Sequence, residues 1–351
     1  MEKYLIASHI EAYPFEETKL NIYNRDTGKT FVLGEKESQV FKLMNGANTV
    51  EDIQAECEFY TVEEINNLAQ AFKEIGLFDK SKKKFNPLKI KLRLFNPNKF
   101  FKADGFFTKA VHYAICIGSP LLALISLLVM RFVNQNPVEH ITKSLEALSA
   151  ISVTEVVVLA IGALICLAMH EFAHMITARR YGVNVPEIGV MLYFLVPCAY
   201  TDISGINLLK NKGQRMVVLL SGSLVNLGLM GLFYTALALT DSALIGAYCI
   251  SLILVNFGMI FMNTMVLIKF DGYYILETLL DEPKLRENAM GHTLGFVKIM
   301  FSKNKEAKKS LSVIKNDSGA FLQHTAYCVY AVLSMLYVPF IMLNTVVPFV
   351  F

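Results

Sequence analysis

The chain has 351 residues, 54% hydrophobic and 18% charged, with a net charge of +3. That apolar share exceeds the roughly 45–50% of a soluble domain and excludes a protein exposed to water throughout. Six cysteines (Cys57, Cys116, Cys166, Cys198, Cys249 and Cys328) show no C-x-x-C spacing, which argues against a disulfide framework or a thiolate-bound metal.

The first hundred residues carry charged and amide groups at ordinary soluble density. They open without a basic region followed by an apolar run, so no secretory signal is read there and a cytoplasmic head is expected. Within the head, Lys19 to Tyr23 and Thr30 to Leu33 are β-rich runs flanking Asn24-Arg25-Asp26-Thr27-Gly28, a hairpin turn. Two or three helices follow: Glu35 to Met44, one opened by Thr49-Val50-Glu51-Asp52, and one opened by Thr61-Val62-Glu63-Glu64 that stops at Gly76. Hydroxyl caps with acids three residues on mark both later starts. This is the order of a small α+β winged helix.

Lys80 to Lys102 is a basic stretch between head and body. Lysines and arginines beside a first membrane span mark its cytoplasmic side, and no nucleic-acid-binding motif accompanies them, so a bilayer and not a nucleic acid is the expected partner.

The body holds apolar stretches long enough for the ~20 helical residues a bilayer requires. They lie near Phe107 to Met130, Thr154 to Ala178, Met216 to Leu239, Ala243 to Ile268 and Thr325 to Val350, the last open to a bend at Pro339. Basic flanks at Arg179-Arg180, Lys210 to Arg215, Lys269 and Lys298 to Lys315 all fall on the head's side when the spans alternate. Ile188 to Tyr200 is apolar but too short to span, as suits a re-entrant hairpin or strand.

Chemistry concentrates in the second span. His170 and His174 stand four apart on a helix, so both imidazoles leave one face and can ligate one ion, with Glu171 within reach of a metal-bound water. Zinc lowers the pKa of such a water toward ~7, and the carboxylate can pass its proton to a leaving amine. Uncompensated histidines and an acid would be costly in a bilayer, so a zinc site is the expected explanation. Counted from Arg179, the two histidines lie about 7–14 Å inside the cytoplasmic end at helical rise. A third protein ligand is needed, and Asp271 is the best placed because the fourth span returns to the cytoplasmic side there. Asp202, Glu187, Asp281 and His292 are its rivals, with Asp202 the strongest of them.

His170-Glu171-x-x-His174 in one span, Gly222-x-x-x-Asn226 in the next, and Asn263 through Asp271-Gly272 at the end of another together resemble the site-2 protease family. Arg179-Arg180-Tyr181-Gly182-Val183, Pro186-Glu187-Ile188-Gly189, Pro197 to Asp202 and Phe270-Asp271-Gly272-Tyr273-Tyr274 resemble its bacterial peptide zinc metalloprotease subgroup. The resemblance implies one zinc ion per chain on His170, His174 and Asp271, Glu171 as base, and Asn263 with Asn226 as substrate-positioning amides. Val266 stands where the family's N-x-x-P has proline, which leaves the local bend open. The head, over Lys19 to Asp79 with its Gly46-Ala47-Asn48-Thr49-Val50-Glu51-Asp52-Ile53 turn, resembles PqqD-like peptide-recognition domains, with a winged helix that binds DNA or acts as a spacer as the alternative.

The expected protein is thus a multi-pass α-helical membrane metalloendopeptidase with a PqqD-like winged-helix domain at 1–80, a basic linker at 81–106 and a protease domain at 107–351. Its expected task is maturing a ribosomally made peptide whose leader docks on the head, beside an export transporter or a peptide-modifying enzyme. Cleavage of a single-span protein, such as an anti-sigma factor or a signal-peptide remnant, is the alternative substrate reading. A non-proteolytic membrane zinc protein is the alternative from another class, disfavoured by Glu171.

Overall fold

A computed structural model describes residues 3–7, 9–15, 18–24, 29–78, 89–133, 136–193, 196–282, 284–301 and 322–337. The chain divides into two compact units, Met1–His112 with His174–Lys210 and Tyr113–Ala173 with Asn211–Phe351.

The first unit begins with strand β1 (Lys3–Leu5), followed by the antiparallel sheet β2 (Ile10–Phe15), β3 (Lys19–Asn24) and β4 (Lys29–Leu33), in which β3 is central. Helix α1 (Glu35–Leu43), strand β5 (Asn45–Thr49), which pairs with β1, and helices α2 (Val50–Glu56) and α3 (Val62–Glu74) complete the head. Both expected caps are present: Thr49 accepts from the Asp52 amide while Asp52 accepts from the Thr49 amide, and Thr61 and Glu64 do the same. Acceptance of those backbone and hydroxyl hydrogens holds the Asp52 and Glu64 carboxyls below their ordinary values. Helical spacing turns Val40, Met44, Ile53, Ile65 and Phe72 onto Ile22 and Leu77, a small core of the head's own. Strands β1, β2 and β5 were not anticipated from the sequence, since β1 and β5 are too short to show a clear alternation.

From Lys89 onward the basic linker forms regular structure. Lys89–Phe95 forms β6, whose lysines and arginine alternate with Ile90, Leu92 and Leu94, a period of two. It pairs antiparallel with β7 (Ile188–Tyr193), which pairs in turn with β8 (Val196–Thr201). The segment expected to be a re-entrant hairpin or strand is therefore strand, two of the three in this sheet. Pro97–Lys99 forms a short 3-10 turn capped by Asn96. There Asn98 donates to Asn184, whose own amide donates to both oxygens of Glu11 on β2 at 2.8 Å. Tyr23 on β3 likewise donates to the Asp202 carboxylate at 3.3 and 3.4 Å.

Among the described residues four helices are long and apolar enough to cross a membrane: Phe106–Val133, Val153–Arg180, Lys212–Leu239 and Ala243–Thr264. The first is built of α4 (Phe106–Tyr113), a π-helical turn at Ala114–Gly118 and α5 (Ser119–Val133). Pro120 explains the wide turn, because it offers no N–H to the preceding turn's carbonyl. Next come α6 (Pro137–Leu148), which the sequence reading passed over, then α7 (Val153–Arg180), α8 (Lys212–Leu239) and α9 (Ala243–Thr264). Short helices α10 (Asp271–Leu280) and α11 (Leu285–Phe301) follow, and residues 322–337 are helical. The expected fifth span begins in that last helix, and its residues from 338 onward lie outside those described.

In the second unit α5 and α8 meet where side chains are smallest. A Cβ on Gly228 would stand 2.6 Å from Ser119 Oγ, and one on Gly231 would stand 2.8 Å from backbone atoms of Ala123. Lipid gives apolar helices little reason to associate, so such close backbone approach supplies the packing.

Candidate metal centre

Helix α7 presents two faces. Val157, Ile161, Leu164 and Ile165 are exposed, as residues facing acyl chains should be, whereas Cys166, His170, His174 and Thr177 are buried at intervals of three and four. The polar face is therefore the one turned to protein. Gly182, at φ 78°, ends the helix with a reversal in which the Val183 amide donates to Ala178 O at 3.0 Å. Arg179 then ties the helix end to Phe101 O and Val183 O, each at 2.8 Å.

Asp271 reaches His170 from α9's end. Helix α9 stops at Thr264, short of the expected Ile268, and a turn over Val266–Lys269 leads to Asp271 as the first residue of α10. The bend forms without the family's proline. Tyr330 donates its hydroxyl to Val266 O at 2.8 Å, and α9's last turn meets α10 at Gly272, where a Cβ would lie 2.4 Å from Thr264 O. Behind Asp271, Tyr273 donates to Glu277 and accepts from the Arg286 amide at 3.2 Å, which fastens α10 to the start of α11.

His170 Nε2 stands 3.3 Å from Asp271 Oδ2, with side-chain exposures of 2% and 18%. Ligand atoms at the usual ~2.0–2.2 Å from a tetrahedral zinc lie about 3.3–3.6 Å apart, so this pair has the spacing of a shared ion. His174, one turn further along the same unbroken helix and 2% exposed, completes the set: one ligand atom from each of the three residues lies within 4.8 Å of the others. Two imidazoles and a carboxylate suit zinc chemically and leave a fourth position for water. Glu171 follows His170 directly and is half-buried.

Of the two amides, Asn263 and Asn226, the second had an interhelical hydrogen bond as its equal alternative, and Asn226 does lie on α8 with Nδ2 3.1 Å from His170 Nδ1 on α7, fully buried. Asn263 donates to Met259 O in its own helix at 3.0 Å. The rival acids are engaged elsewhere: Asp202 also accepts from Ser204 N and Oγ at 3.1 and 2.6 Å, Glu187 accepts from Tyr200 at 3.2 Å, and Asp281 pairs with Lys212 at 3.1 Å. Burial and the adjoining Glu187 carboxylate push the Tyr200 phenol up. His292 Nε2 faces His324 Nδ1 at 2.5 Å. The sequence reading missed Asn256, buried in α9, which donates to Cys166 Sγ at 3.2 Å and to Leu252 O at 2.8 Å. An asparagine in the middle of an apolar span was its signal.

A His-Glu-x-x-His helix long and apolar enough to cross a membrane, met by a carboxylate from a neighbouring helix, defines the class: a membrane metalloprotease. Residues 157–348, more than half of the chain, match the model of Peptidase family M50, and the chain belongs to that family. The family's members are zinc metalloproteases of membranes. No curated protein and no solved structure matches the chain.

Proposed function

We propose that this chain is a zinc endopeptidase of the cell membrane that cuts a peptide bond near the cytoplasmic face. The observation that carries the proposal is the convergence of His170, His174 and Asp271 donor atoms within 4.8 Å. These three would hold one ion. When bound, it supplies Lewis acidity and lowers the pKa of water toward ~7. Glu171, adjoining the first ligand, is assigned the proton transfer: its carboxylate takes a proton from the attacking water and returns it to the departing amine. Asn263 is assigned to hold the substrate through its amide oxygen, its nitrogen being engaged by Met259.

The substrate we assign is a ribosomally made peptide whose leader docks on the N-terminal α+β domain, a PqqD-like winged helix in this reading. In support, β2 and β4 are the outer strands of the head's sheet, and an outer strand can pair with an extended segment. The basic residues at the helix ends and turn around Arg179, Lys212 and Lys269 support a cytoplasmic side for the head and for these segments. A transporter or peptide-modifying enzyme would act beside it.

The test incubates detergent-solubilised wild-type and Glu171→Ala protein with the small peptide encoded beside the gene. Processing by the wild type, reduced at least a hundredfold in the variant, is expected. Equal processing by both would reject the assignment of Glu171 and of proteolysis at this centre.

A further inference from the structure

We infer that Asn226 is a positioning residue: it fixes which nitrogen of His170 carries the proton and so prepares Nε2 for the ion. This deepens the zinc reading above and rests on it.

Three observations converge. Asn226 faces His170 Nδ1 at 3.1 Å, on the side of the ring opposite the nitrogen that faces Asp271. Its side chain is fully buried. Its amide oxygen is buried and has no hydrogen-bond partner among the described residues.

An imidazole that gives Nε2 to a metal must carry its hydrogen on Nδ1, and that N–H needs an acceptor. As placed, the Asn226 nitrogen faces Nδ1, a pairing that suits the other tautomer, with the hydrogen on Nε2 pointing to Asp271. The two ends of an amide are nearly identical in shape, and their assignment follows from the hydrogen bonds they make. Rotation of the Asn226 amide by half a turn brings the unpartnered oxygen to Nδ1, where it accepts the N–H and leaves Nε2 bare. The ion-ready arrangement supplies the bond this oxygen lacks and moves the amide NH2 to the place the oxygen held. Asn226 thus acts on the reaction through His170 and not by touching substrate.

The test measures zinc affinity of the purified full-length protein by competition with a chromophoric chelator. It compares wild type, Asn226→Leu, Asn226→Ala and Asn226→Asp, with melting of each metal-free protein as the folding control. Leucine and alanine cannot accept a hydrogen bond and should weaken zinc binding by about 10–100-fold. Aspartate keeps an acceptor at the same place and should bind zinc at least as tightly as wild type. Wild-type zinc affinity in the leucine and alanine variants with peptide cleavage lost would overturn the inference in favour of substrate contact. Weak binding by all three variants would overturn it in favour of simple packing. If the leucine variant fails to fold, alanine against aspartate decides alone. A wild-type protein that binds no zinc would reject the underlying metal reading, and this inference with it.

Discussion

Adding one methyl group at Gly272 should disable the metal centre while leaving every donor atom in the chain. A Cβ at this position would lie 2.4 Å from Thr264 O, 2.6 Å from Thr264 C and 2.9 Å from Asn263 O. All three are backbone atoms at the end of a long helix, so no side chain can swing aside. Carbon and oxygen approach comfortably only to about 3.3 Å, so relief requires a displacement of about 0.9 Å between α9's end and α10's start. Asp271 immediately precedes Gly272 and moves with it. Metal–ligand distances tolerate only about ±0.2 Å, so the shift is several times the allowed error and the carboxylate drops out of the set. Gly272→Ala should therefore bind zinc at least tenfold more weakly, and a displacement of about 1 Å can lower turnover by a further ~100-fold. Chelator competition and peptide cleavage, each compared with wild type at equal folded fraction, measure the two effects. Wild-type zinc affinity in Gly272→Ala would refute the claim that this close approach sets the position of Asp271.

The bend before Asp271 can be probed from its other support. Tyr330→Phe removes the hydroxyl that donates to Val266 O, and the lost bond should lower stability by about 1 kcal/mol, visible as faster hydrogen exchange across residues 266–270; unchanged exchange would show that the turn holds itself. In the head, Thr49→Ala and Thr61→Ala should each cost about 1 kcal/mol as lost helix caps. The Asp52 and Glu64 carboxyls are held below their ordinary values in the fold, so the stability they add is present above the ordinary carboxylate range and is lost as pH falls through the lowered folded values. Protection of residues 50–56 and 62–74 from hydrogen exchange should therefore decline on acidification in wild type and decline less in the double variant, and equal declines would contradict the capping account.

What the sequence disclosed and what it withheld divide along a physical line. The four described spans, the α2 and α3 starts and the spacing of His170 and His174 depend on residues within a few turns of one another, and local periodicity reports them. Strand β6 was legible in principle, since Lys89 to Leu94 alternates strictly, but its charge equally suits the flank of a membrane span and its partner β7 lies about a hundred residues away. Helix α6 announces itself with Pro137 at its first turn and apolar residues at Val138, Ile141 and Leu145, yet it is short and sits between two stronger signals. Substitution of valine for proline at 266 left the bend undecided, because the hydroxyl that braces it arrives from Tyr330, far along the chain. The nearness of Asn226 to His170 Nδ1 is likewise a fact of helix packing between α7 and α8, which no spacing within either helix encodes.

The bonds from Glu11 to Asn184 and from Tyr23 to Asp202 bear on how such a protein can be rebuilt. A domain joined only by a flexible tether can be exchanged for another of the same fold without regard to its surface. Here the head grips, through two strands of its sheet, the very loops that bracket β7 and β8. A grafted head lacking an acid at position 11 and a phenol at position 23 would be covalently attached yet mechanically loose. Exchanging this head for another therefore calls for transplanting those two side chains along with it.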